Sequence, residues 1–101
     1  MDINFQYDAV KASDRLEILT AKRLQKLFDK YDFLIRAEVL FKKENTTSPE
    51  KGMICKIRLS LPGPLVFAES SQGTFEVSIT ETVDDLERQL RKRKSKMNHR
   101  A

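Results

Sequence analysis

With 101 residues, 40% of them hydrophobic and 34% charged, the chain has material for one core and not for two, since single domains typically hold about 100 to 150 residues. No stretch approaches the roughly 18 apolar residues that cross a bilayer, and the opening MDINFQYD lacks the basic-then-apolar order of a secretory signal, so a cytoplasmic protein without membrane contact is expected. The formal net charge of +4 conceals a division: residues 1–87 hold 12 Lys or Arg against 15 Asp or Glu, net −3, whereas residues 88–101 hold seven basic and no acidic residues, net +7.

Ile3, Phe5 and Tyr7 alternate with Asp2, Asn4 and Gln6, the period of a half-buried strand, over residues 2–7. Ser13 then offers an N-cap, with Asp14 and Glu17 in the first turn where the helix dipole favours acids, and opens a helix to about Tyr31. Leu16, Thr20, Leu24, Leu27 and Tyr31 form one continuous face of that helix, directed at a sheet. Ile35, Ala37, Val39 and Phe41 alternate before the polar stretch KKENTTSPEKG, and Cys55, Ile57, Leu59 and Leu61 alternate after it. They predict a hairpin with a long, mobile loop over 42–52. Pro62-Gly63-Pro64 marks the next turn, because proline removes a donor and fixes its backbone, and Leu65 to Ser70 reads as a fourth strand.

Thr74 caps a last helix in which Ile79, Val83, Leu86 and Leu90 recur every three or four residues. The order β-α-β-β-β-α predicts an α+β fold with an antiparallel meander and both helices on one sheet face. Residues 1–96 are expected to form a single domain and residues 97–101 a short basic tail. There is no internal repeat and no Gly/Ser-rich linker.

Few residues suggest reaction chemistry. The lone histidine, His99, stands in the tail and the lone cysteine, Cys55, in a strand, so neither a metal-ligand set nor a Cys-His or Ser-His-Asp arrangement is expected. Cys55 reads as a small buried hydrophobe. Gly52, Gly63 and Gly73 are scattered and make no phosphate-cradling loop. Asp84 and Asp85, with Glu81 and Glu87 nearby, read as the solvated face of a charged helix. No catalysis, cofactor or metal is expected.

The distinctive segment is LERQLRKRKSKMNHR, residues 86–100. A cationic run on a slightly acidic body points to a polyanion met by one surface. On a helix Arg88, Lys92 and Lys96 stand at i, i+4 and i+8, a ridge about 12 Å long, with Arg91 and Lys94 beside it. Steps of about 6 Å suit phosphates along a strand, and their neutralisation releases counterions. Dipole compensation acts only in the last turn, at about 0.3–1 kcal/mol per charge, and does not require seven cations. Lys22, Arg23, Lys26 and Lys30 make a second cluster on the first helix, interrupted by Asp29, and side-by-side helices would join the two clusters into a positively charged groove. Phe5, Phe41, Phe67 and Phe75 have core-like placement, and no aromatic strand pair of the RRM type is present, so RNA contact is expected through phosphate, sugar and shape. The residues alone leave open a second reading, a basic helix docking on an acidic protein partner.

The element order, with RLQKL at Arg23 to Leu27 and LERQLRK at Leu86 to Lys92, resembles the ribosome hibernation-promoting factor and ribosome-associated inhibitor family from Asn4 to Lys96. The resemblance implies a four-stranded sheet with two helices packed on one face. It further implies binding to the small ribosomal subunit and its rRNA in the channel used by mRNA and tRNA, in competition with both, and reversible inhibition of translation during stress or stationary phase. By motif, Arg23 and Lys26 match basic positions of the family's first helix, and Arg88, Lys92 and Lys96 those of its second. Asp85 stands where lysine is frequent in the family, and Thr80 where aspartate is frequent. The chain looks like a short form acting as a monomer. Short members of the family either help a separate ribosome modulation factor form ribosome dimers or hold single ribosomes inactive.

Overall fold

A computed structural model describes residues 1–98 and contains six elements in the predicted order: β1 (Asp2–Asp8), α1 (Asp14–Lys30), β2 (Arg36–Lys43), β3 (Met53–Ser60), β4 (Val66–Gln72) and α2 (Phe75–Asn98). The strands lie in the order β1-β2-β3-β4. β2, β3 and β4 form the antiparallel meander, while β1 pairs with β2 in parallel, from Asp2 opposite Arg36 to Asp8 opposite Lys42. The parallel pair follows from α1, a crossover that returns the chain to the end of the sheet from which β1 started. His99 and the rest of the expected tail, residues 99–101, lie outside the described residues.

Both helices begin as the capping residues predict. Ser13 Oγ accepts from the Leu16 amide at 3.3 Å, and Thr74 Oγ1 from the Val77 amide at 3.2 Å. The Tyr7 hydroxyl donates to the Glu17 carboxylate at 2.6 Å and accepts from the Ser13 amide at 3.3 Å, fastening the end of β1 to the first turn of α1. Burial, then the Glu17 hydrogen bond, push the Tyr7 phenol above its ordinary pKa. On α2 the Ser78 hydroxyl donates to the Met53 carbonyl and accepts from the Gln72 amide, and the Thr82 hydroxyl donates to the Cys55 carbonyl at 3.2 Å. Two buried hydroxyls thus find partners on the sheet, as burial of a polar group requires.

The core lies between the sheet and the helices. Leu16, Leu24, Leu27 and Tyr31 of α1 and Ile79, Val83, Leu86 and Leu90 of α2 close over Val39, Phe41, Ile57, Leu59, Val66 and Ala68. Each large side chain so buried contributes about 1.5–3 kcal/mol. Cys55 is fully buried among them, and burial pushes its thiol up to about 12, so it serves as a small hydrophobe.

Two apolar positions differ from expectation. Ile35 precedes β2 and is 59% exposed, and Leu34 takes the inward place at that end of the sheet. Phe67 is 43% exposed on the open face, because the phase of β4 turns Val66 and Ala68 inward. There Gln6, Glu38, Leu40, Lys56, Arg58 and Phe67 border a shallow depression of about 210 Å³. Its charges are matched within the protein, Arg58 with Glu38 and Lys56 with Glu69.

Leu90 is the last core residue of α2, yet the helix continues to Asn98. Two further turns, about 12 Å at 1.5 Å per residue, therefore extend past the core.

Candidate nucleic-acid interface

Helix α2 is divided by charge. From Phe75 to Glu87 it carries five acidic residues and no Lys or Arg; from Arg88 to Asn98 it carries six Lys or Arg and no acid. Asp84 stands exposed, as a solvated face implies, whereas three of the five acids are engaged within the fold. Glu76 pairs with Arg15 of α1, whose guanidinium holds the carboxyl below the usual carboxylate range. Glu81 accepts from the Ser70 hydroxyl at 2.7 Å and the Gln72 amide at 2.6 Å. Glu87 meets Lys30 at 3.0 Å, and that hydrogen bond raises the lysine's pKa. Thr80, at the second family departure, donates to the Glu76 carbonyl at 3.0 Å and acts on the helix itself.

The cations fall into two tracts astride α2. Between the helices a depression of about 290 Å³ is lined by Arg23, Lys26 and Lys30 together with Asp84 and Glu87. At its end the Lys30 and Lys94 ammonium groups lie 5.6 and 5.7 Å from the ring centroid of Tyr31, a cation–π arrangement on a ring that caps α1. Arg91 is near enough to oppose protonation of Lys30. The structure thus brings Arg23, Lys26, Lys30, Arg91 and Lys94 together, with Lys22 exposed on α1.

The Arg88, Lys92, Lys96 ridge takes the other flank, toward β4. Arg88 borders an acidic depression with Glu69, Glu81, Asp84 and Asp85, and its guanidinium lies 3.9 Å from Asp85. The departure at Asp85 therefore occupies the first rung of the ladder. Lys92 and Lys96 border a separate depression against Leu65 and Val66. No single positive groove holds all the cations, because 3.6 residues per turn fans positions 91, 92, 94 and 96 around the axis. Among the described residues no group of three or more His, Cys, Asp or Glu is placed to hold a metal ion.

Two residues outside the predicted set help to build this region. Tyr31 was legible only as a core position, although it also seats two lysines. Arg93 is half-buried in the same depression as Lys92 and Lys96. Its signal was present in the sequence: it follows Leu90 by three and Leu86 by seven, which puts an arginine on the inward stripe.

A family model described as Sigma 54 modulation protein / S30EA ribosomal protein matches residues 3–98. This chain belongs to that family. As an S30EA-family protein it is ribosome-associated. Two solved structures share the fold of this S30EA-family chain. A ribosomal subunit interface protein from Coxiella burnetii has a TM-score of 0.79 at 24% identity, over 94% of this chain and 99% of its own. The N-terminal domain of Thermus thermophilus Protein Y has a TM-score of 0.74 at 24% identity, over 91% and 98%. No match is found among curated proteins. Among the described residues no helix is long and apolar enough to cross a membrane.

Proposed function

We propose that this S30EA-family protein is a ribosome hibernation factor that binds the small ribosomal subunit in the mRNA and tRNA channel and reversibly stops translation during stress or stationary phase. The observation that carries the reading is the second half of α2. It carries six cations and no acid, five of them beyond Leu90, and only Arg88 among the six has a carboxylate within 4 Å among the described residues. Unmatched charge of this density neutralises phosphates, and the resulting counterion release drives binding to rRNA. Arg23, Lys26 and Lys30 of α1, with Arg91 and Lys94, add a second line of contacts on the other flank. The body of the protein then excludes mRNA and tRNA by its volume. The protein works as a monomer in the cytoplasm by occupation of a site, with no reaction and no cofactor. The description of the Coxiella burnetii relative as a subunit interface protein agrees with a place between subunits.

Co-sedimentation with purified small subunits tests the proposal. For about six neutralised phosphates, affinity falls about a thousandfold between 50 and 200 mM salt. Bound protein should be displaced by mRNA and tRNA together. Association that ignores salt, or that survives nuclease digestion of the rRNA, would instead assign the basic helix to an acidic protein partner.

A further inference from the structure

The six cations of α2 do not share one environment. On the β4 flank a depression of about 180 Å³ is lined by Leu65, Val66, Gln89, Lys92, Arg93 and Lys96. Three of these are cations and none is a carboxylate. The groove between the helices, by contrast, contains Asp84 and Glu87, and the depression at Arg88 contains four acids.

Arg93 is the inner member of the cluster. It is half-buried, and its Nη1 is covered and has no hydrogen-bond partner. A covered donor without a partner is unfavourable, the more so when charged. Among the described residues Lys92, Arg93 and Lys96 enter no ion pair with the acids engaged elsewhere. The Gln89 amide is already committed to the Phe67 carbonyl at 2.8 Å.

The turn Pro62-Gly63-Pro64 leads into the Leu65 and Val66 side of the pocket. Gly63 holds φ at +91°, a conformation that favours glycine, and a Cβ there would lie 3.7 Å from Arg93 Nη1. The turn therefore runs close against the guanidinium. Leu65 and Val66 supply an apolar side, which lowers the local dielectric and strengthens the attraction between a cation and an incoming anion.

We propose that this pocket is a discrete phosphate-binding site, in which Arg93 takes a backbone phosphate of the RNA from the inner end while Lys92 and Lys96 hold it from the rim. The inference rests on the reading of α2 as an RNA-contacting helix and adds to it a seat built jointly by the helix and the 62–66 turn. A planar guanidinium with several fixed donors matches phosphate oxygens in a way that a lone ammonium does not.

Two measurements on the full chain test it. In ¹⁵N-labelled protein titrated with inorganic phosphate at constant ionic strength, the Arg93 Nε–Hε signal and the Gly63, Leu65 and Val66 backbone signals, through ¹³C where proline interrupts, should shift together and saturate. The same signals in Arg93→Gln should not respond. Uniform, unsaturable shifts over all the cations would overturn the site. In binding to small subunits across a salt series, Arg93→Gln should lower the slope of log affinity against log salt by about 0.7 to 0.9 and weaken binding about tenfold at 100 mM. Arg93→Lys should retain the slope. Lys96→Gln, an exposed change that leaves folding intact, should reproduce the loss. If the wild type fails to bind subunits, the proposed function falls while the phosphate titration still judges the pocket. If the wild type binds and neither Arg93→Gln nor Lys96→Gln alters the slope, the pocket falls and the function stands.

Discussion

The two halves of α2 share one inner face and differ in everything that surrounds it. Ile79, Val83, Leu86 and Leu90 continue a single apolar stripe from the acidic half into the basic half. Outside that stripe three of the five acids of the first half have close partners in the fold: Arg15 for Glu76, Ser70 and Gln72 for Glu81, Lys30 for Glu87. Among the described residues the cations of the basic half have one carboxylate contact, a distant one, Arg88 with Asp85 at 3.9 Å. A net charge of +4 therefore understates what a polyanion meets at the basic half, because the six cations of residues 88–98 stand together and the acids lie elsewhere in the chain. Charge that is matched internally holds the fold, and charge that is left over is available to a partner.

Substitutions in each half sharpen this contrast. Ile79→Ala and Leu90→Ala, one on either side of the charge boundary, should each destabilise the protein by about 2–5 kcal/mol in urea denaturation, as large-to-small changes in a packed core do. A costless Leu90→Ala would mean that the basic half is not anchored to the core. The double change Lys92→Glu, Lys96→Glu should weaken small-subunit binding by about a hundredfold or more at 100 mM salt with little change in the urea midpoint, while Asp84→Asn should leave binding nearly unchanged. Equal losses from both would remove the distinction between the halves.

Thr74→Ala should cost about 1 kcal/mol of stability through loss of the cap on the acidic half, with the salt dependence of binding unaltered. The smallest effect concerns Glu76. Its folded-state pKa is depressed by Arg15, so the pair stabilises the protein above the carboxylate's unfolded pKa, and that contribution disappears as pH falls through the lower folded value. Both groups are largely exposed, which limits the pair to about 0.2–1 kcal/mol. Arg15→Ala should lower the denaturation midpoint slightly at pH 7 and leave it equal to wild type near pH 2.

The periodic parts of the fold were readable in the sequence. The stripes Leu16 to Tyr31 and Ile79 to Leu90 are buried as their spacing implied, and Ser13 and Thr74 cap the helices they precede. Period-two alternation is silent on which strand pairs with which, so the parallel partnership of β1 and β2 emerged only from the crossover. It is also ambiguous in phase where both alternating sets are apolar. In Leu65-Val66-Phe67-Ala68 the bulkier pair faces out, because α2 packs closely over β4 and admits the smaller Val66 and Ala68 beneath it. The cationic segment was plain in the composition, but its division into two tracts was not. Pairs such as Lys30 with Glu87 and Arg15 with Glu76 join residues 57 and 61 positions apart, and local spacing carries no record of them.

The continuity of the α2 stripe also orders events in synthesis. A chain made from its N-terminus produces the sheet and α1 first, but the β3 and β4 side of the core is covered only when Ile79, Val83, Leu86 and Leu90 arrive with α2. The helix that completes the core is the one that carries the unmatched cations. Closure of the core and display of the basic surface are thus a single late event, so a nascent chain lacks the folded surface until nearly all of this sequence has left the ribosome that makes it.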